Sequence, residues 1–356
     1  MVVAGMIDVA SKAWKRRIRS LALLTLALGL AFWAIRGCAY MPWNREVSRG
    51  RVRITASRDF GKEVLWEVEE EAAGLTAMEA LRRVARVETA YGGGFIVSID
   101  GLASAYRGEN SGKADWFFYV NGQMAEVGAA DFRLREGDWV VFDYHSWERS
   151  MFTPVLAGCF PDPFVNGYRE APARCLVAHG EGLKGDAEEL ASALRNAGAA
   201  RVETVYLGDQ GDPWKAMAQG DYLIIVAGTD ELESLEGWKR ALAEAEARGI
   251  FALPEGDGLV MLDDAGRPAG KLEGEWGLVT GLAPRLDEPG SALVVTGRGK
   301  GLREALRGLL DRIEGRDGRP LLAMAYDGEG SEIPLPLGDL SEGKGTGSSP
   351  VSFGGR

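Results

Sequence analysis

The chain has 356 residues, a length that suits two or three domains. With 46% apolar and 26% charged residues it can bury a core, which excludes disordered and collagen-like chains. The net charge of -11 argues against a nucleic-acid binder, which would show a basic face, and two histidines with three cysteines leave little for a zinc site.

The charge is uneven. Residues 1–20 hold five bases and one acid, whereas the remainder holds 36 bases and 51 acids. Behind the basic cluster, residues 20–35 (SLALLTLALGLAFWAI) carry no charge. As a helix they would reach about 24 Å, slightly under the hydrocarbon core of a bilayer. Trp33, Tyr40 and Trp43 suit the far interface. The segment 20–36 therefore reads as an uncleaved signal anchor, with 1–19 cytoplasmic and the bulk extracytoplasmic. Two alternatives stand beside it. One is a cleaved signal peptide, although no clean Ala-x-Ala site follows. The other is lipidation at Cys38, which follows Gly37, although Ile35 and Arg36 fit that poorly.

Residues 37–50 read as a linker. From 51 to 148 the elements follow the order β-β-α-β-β-β, an α+β unit with a mostly antiparallel sheet. Val52, Ile54 and Ala56 alternate with polar residues in a half-buried strand, and Val64, Trp66 and Val68 do so in a second. Thr76 with Glu79 three residues later is a capping box, and Met78, Leu81, Val84 and Ala85 give the helix its apolar spacing. Residues 95–99 (FIVSI), 116–120 (WFFYV) and 139–144 (WVVFDY) read as strands, and Asn121-Gly122 is a hairpin turn.

Several of these motifs together resemble one family: 58–61 (RDFG), 88–95 (ETAYGGGF), 116–122 (WFFYVNG) and 137–147 (GDWVVFDYHSW). It is the bacterial family related to the carboxy-terminal β-domain of transcobalamin and intrinsic factor. The resemblance covers about residues 51–148 and implies a β-grasp-like fold. It implies a corrinoid such as cobalamin as ligand, and secreted or anchored relatives. In the vitamin carriers this domain closes over cobalamin with a large helical domain, and no such domain is visible in this sequence.

Residues 149–173 form a bridge rich in proline and aromatics, expected to lie against a domain. Cys159 and Cys175 flank it. Outside the cytoplasm they are either a disulfide, whose loop closure would contribute about 3 kcal/mol, or two buried thiols.

Residues 174–337 alternate strand and helix, the pattern of a Rossmann-like α/β unit with a mainly parallel sheet. Strands are expected at 175–178, 201–207, 222–227, 250–253, 292–296 and 321–326, and helices at 183–197, 231–248 and 302–313. A hairpin is expected around Asp263-Asp264-Ala265-Gly266. The glycine- and serine-rich tail 338–356 reads as disordered.

The richest polar-aromatic cluster is Tyr91, Phe95, Trp116, Tyr119, Asn121, Tyr144, His145 and Trp147, a set that suits a flat amphipathic ligand. Strand alternation puts Trp116 and Tyr119 on opposite faces, so both line one site only if the strand bends. Core filling is the competing role for each ring, and a turn is the competing role for Asn121. No serine or cysteine motif places a nucleophile beside His145.

The leading expectation is a membrane-anchored, non-catalytic, extracytoplasmic ligand-binding protein, with a transporter or surface protein as further partner. A surface adaptor for a protein or wall polymer is the alternative. A third reading is an enzyme in the α/β unit. It requires the loops at 179–182, 228–230 and 296–301 to converge on one site.

Overall fold

A computed structural model of the chain describes residues 50–91, 94–107, 112–210, 212–216, 220–283, 291–315 and 318–338. The expected anchor at 20–36, its basic flank, Cys38 and the tail 339–356 lie outside the described residues. Among the described residues no helix is long and apolar enough to cross a membrane.

The first part runs β1 (Arg51–Arg58), β2 (Glu63–Glu71), α1 (Ala77–Val84), β3 (Val87–Ala90), β4 (Phe95–Ile99), β5 (Leu102–Ala103), β6 (Ala114–Val120), β7 (Gln123–Met124) and β8 (Trp139–Ser146). Five strands form one sheet in the order β2-β1-β8-β6-β7, and β3-β4-β5 form a second. The β1–β8 pair is parallel and the other pairs of the five-stranded sheet are antiparallel. Two local signals set its ends. Thr76 and Glu79 close the expected capping box at 3.1 and 2.8 Å. Asn121 and Gly122 both take positive φ, 50° and 76°, as a two-residue hairpin turn requires.

Both faces of this sheet are covered. On one, Val52, Ile54, Ala56, Trp116, Val140, Phe142 and Tyr144 meet Met78 and Leu81 of α1. On the other, Phe60, Tyr119, Trp139 and Val141 meet Leu156, Cys159, Phe251, Leu262 and Leu322 from the rest of the chain. β1 is therefore not half-buried as its alternation suggests. Thr55 and Ser57 are buried as fully as Ile54 and Ala56.

The second part contains β9 (Arg174–His179), α2 (Lys184–Asn196), β10 (Val202–Tyr206), β11 (Asp221–Gly228), α3 (Glu236–Ala243), β12 (Ala252–Glu255), β13 (Gly258–Leu262), β14 (Pro268–Glu273), β15 (Trp276–Leu282), β16 (Ala292–Arg298), α4 (Lys300–Ile313), β17 (Ala323–Asp327) and β18 (Glu332–Leu335). Seven strands make a mixed sheet in the order β10-β9-β11-β16-β15-β17-β18, and β12-β13-β14 make a small separate one. Only the first four of the seven are parallel, so the sheet is mixed rather than mainly parallel. Leu190 and Leu194 of α2 and Leu302, Leu306 and Leu309 of α4 cover one face. Trp238 of α3 covers the other.

The expected helix at 231–248 is broken. A single helical turn, Thr229–Leu232, precedes α3, and Leu235 between them is extended with φ -82° and ψ 124°. The break turns Leu232, Leu235 and Trp238 into one apolar cluster. The bridge at 149–173 is tied down. Leu156 and Cys159 enter the layer between the sheets, Phe160 and Phe164 enter the α2/α4 layer, and Tyr168 joins the α1 layer.

Candidate functional site

The structure divides the expected aromatic cluster along the alternation of β6 and β8. Trp116 and Tyr144 face the α1 side with ring centroids 5.5 Å apart, edge on. Tyr119 and His145 face the opposite side and are completely buried. Burial, and next the Asp143 carboxylate, push the Tyr119 phenol far up, and its hydroxyl lies 2.5 Å from Thr153 Oγ1. Asn121 is buried: its amide donates to Asp138 and to the Gly167 carbonyl, while its Oδ1 accepts the Trp139 amide. It serves the turn. Tyr91 and Phe95 belong to the β3–β4 hairpin, where Ala90 pairs with Phe95 and Tyr91 is 82% exposed.

What the fold does assemble is an aromatic edge around Trp147. Its indole Nε1–H donates to Asp115 Oδ2 at 2.9 Å, and the other oxygen of that carboxylate accepts the Ser104 hydroxyl. Tyr106, 59% exposed, lies 6.0 Å from Trp147 with the rings tilted by 56°. Trp116 donates its indole N–H to the Leu102 carbonyl at 2.9 Å and so fixes the segment that carries Tyr106. Burial, followed by Asp115, raises the Tyr144 phenol beneath. The polar atoms of Trp116 and Trp147 are thus used internally, and the exposed Tyr106 ring lies against the half-buried Trp147 ring. Tyr106, Lys113 and Asp115 were not among the sequence-derived candidates. The one available signal was the pairing of Asp115 with His145 across β6 and β8, which brings Lys113 to Trp147.

His145 makes a different arrangement. Its Nδ1–H faces Asp143 Oδ2 at 2.7 Å, and its ring is stacked between Phe60 and Phe117 at 4.5 and 4.3 Å. Asp143 Oδ1 accepts the Ser57 hydroxyl at 2.6 Å and the Gly61 amide at 3.0 Å. Ser57 is held by the carboxylate and not by the imidazole, so the nucleophile–base contact of a triad is missing. Among the described residues His145 Nε2 is buried without a hydrogen-bond partner. Among the described residues no group of three or more His, Cys, Asp or Glu side chains is placed to hold a metal ion.

Cys159 and Cys175 are buried free thiols, so the disulfide alternative is not formed. The Cys175 thiol donates to the Phe164 carbonyl at 3.2 Å in the α2/α4 layer, whereas Cys159 lies in the layer between the sheets. Burial pushes Cys159 well up and Cys175 up to about 12.

In the second part, pairwise contacts link the segments that carry the three glycine-containing loops. Chain order around the parallel strands reverses between β9 and β11, the switch point where α/β sheets open a crevice. The Glu181 amide, after β9, donates to Glu231 Oε1 at 2.6 Å. Thr229, after β11, donates to the Gly297 carbonyl at 3.3 Å, near the end of β16. Glu231 rests on Gly180, where an added Cβ would lie 1.9 Å from its carboxylate. The space above Gly180 is taken by the protein's own carboxylate.

Residues 74–146 match a family described as a domain of unknown function, DUF4430. Among solved structures, a candidate metal-binding protein from Ruminococcus gnavus ATCC 29149 is similar at 16% identity and TM-score 0.23. The match covers 27% of this chain and 97% of that one. Haptocorrin in complex with Cbi is similar at 16% identity and TM-score 0.22, over 28% of this chain and 26% of that one. This chain thus spans about a quarter of haptocorrin's length. No curated protein matches. The relationships are distant.

Proposed function

We propose that this is a membrane-anchored, extracytoplasmic, non-catalytic protein that binds a flat amphipathic small molecule on the aromatic edge of its β-grasp-like part. The observation that carries the reading is the Tyr106–Trp147 pair. An exposed Tyr106 ring lies against a half-buried Trp147 ring whose indole is held by a buried carboxylate, a fixed aromatic surface that suits a flat ligand. The basic flank and apolar run at 1–36 support the anchor. The resemblance of 51–148 to the vitamin-carrier domain makes corrinoids the first class to try. A transporter or another surface protein is the natural recipient of the ligand.

Titrating the purified chain with cobalamin and with cobinamide tests the corrinoid assignment. A saturable change in absorbance or tryptophan fluorescence is expected. Its absence for both removes corrinoids from the reading.

A second reading, a function in the α/β part, is supported by contacts that link the segments after β9 and β11 with the end of β16. That reading requires Glu231 to swing away from the Glu181 amide when ligand arrives.

A further inference from the structure

The aromatic edge carries a charge that the reading above does not use. Lys113 Nζ lies 5.8 Å from the centre of the Trp147 ring. Lys113 is exposed, and its carbonyl accepts the Trp147 amide at 2.8 Å, so backbone pairing fixes the two residues side by side. Asp115, two residues further along the chain and within β6, does not neutralise it. That carboxylate is turned inward onto Ser104 and the Trp147 indole, and the residue is 9% exposed. Elsewhere, Lys62, Lys184, Lys239, Lys271 and Lys300 each lie 2.8–3.9 Å from a carboxylate, and among the described residues Lys215 does not. Among the described residues Lys113 has no such partner. In a chain of net charge -11, an ammonium with no carboxylate partner among the described residues thus lies beside the exposed Tyr106 ring and the half-buried Trp147 ring.

We propose that the Tyr106–Trp147 surface takes a planar amphipathic molecule bearing an anionic substituent, and that Lys113 is the residue that selects for that substituent. This rests on the reading that the two rings bind a small molecule. The rings supply apolar area that hardly discriminates between planar ligands. The ammonium supplies the discrimination. It attracts a sulfonate, carboxylate or phosphate at the edge of the ligand, gives a neutral ligand nothing and repels a cation. The acidic remainder of the chain sharpens this, because it offers an anion little attraction elsewhere.

A matched pair of probes separates the two ideas. 1-Anilinonaphthalene-8-sulfonate and N-phenyl-1-naphthylamine share a ring skeleton and differ by the sulfonate. Fluorescence titration of the full chain is expected to show saturable binding of both, lost in Tyr106→Ala, whose exposed ring is not needed for folding. In Lys113→Met the sulfonate is expected to bind about three- to fivefold more weakly and to lose its salt dependence, with the neutral probe unchanged. Equal effects of Lys113→Met on both probes, or none, would overturn the role of Lys113 and leave the aromatic surface standing. If neither probe binds, or if Tyr106→Ala changes neither, the surface itself is misread and the inference falls with it.

Discussion

Asp143 and His145 face each other at 2.7 Å with neither side chain exposed. Two residues apart on β8, they point to the same side, into the layer where the two sheets meet. Asp143 collects three donors there: the His145 imidazole, the Ser57 hydroxyl and the Gly61 amide. Asp143→Ala strips all three of their acceptor inside an apolar layer. A loss of about 3–5 kcal/mol is expected, against about 1–2 kcal/mol for Ser57→Ala, which removes one donor and leaves the carboxylate paired. Urea unfolding of both variants checks the ranking. Equal losses would show that the imidazole and the Gly61 amide draw little from this carboxylate.

The two described thiols predict a chemical result. Both sit where burial disfavours the thiolate, the reactive form. In a Cys38→Ser background, neither Cys159 nor Cys175 should react with a disulfide reagent in the native state, and both should react in denaturant. The unfolding midpoint should be the same with and without reductant. A midpoint that falls when reductant is added would mean that the two are bridged.

Much of the first part was legible because its signals are local. The Thr76–Glu79 box and the Asn121-Gly122 turn need no partner beyond a few residues, and strand alternation alone separated Trp116 from Tyr119. The face to which His145 and Ser57 turn was not legible. Their burial depends on Phe251, Leu262 and Leu322, which arrive from far along the chain. β15 escaped notice because Gly277 and Gly281 interrupt its apolar pattern. Each admits a close neighbour: an added Cβ would meet the Gly301 carbonyl at 2.1 Å or the Val155 side chain at 2.5 Å. Tyr106 gave no pattern, since a short irregular segment brings it to Trp147, and Lys113 could be reached only through the register of β6 on β8.

Gly180→Ala probes the crevice after β9. The added methyl collides with the Glu231 carboxylate, a flexible group that can move, and not with backbone. The carboxylate should leave the Glu181 amide, at a cost of about 1 kcal/mol for one charge-assisted hydrogen bond. Glu231→Ala should cost about as much. The double variant should cost no more than either alone, because both remove the same contact. Additive losses in a double-mutant cycle would place the effect of Gly180→Ala outside that contact.

Asp162 gives a pH dependence with a definite sign. It opens the short helix Asp162–Val165 in the bridge, and burial pushes its carboxyl from 3.8 up to about 6, against the hydrogen bond donated by Asn166 and the attraction of Arg53. Between those two values the folded chain holds a proton that the unfolded chain has released. Stability therefore falls as pH rises from about 4 to 6 and levels off above. A shift of this size would carry about 3 kcal/mol in full, and partial exposure of the residue reduces the expected amount to about 2 kcal/mol. Asp162→Asn keeps an acceptor for the Asn166 amide and removes the charge. It should match the parent at pH 4, exceed it by about 2 kcal/mol at pH 7, and flatten this part of the profile. Denaturant unfolding of parent and variant at pH 4, 5, 6 and 7 gives the difference curve. A difference that is constant across that range would mean that the carboxyl is ionised throughout, and the assigned shift would be wrong.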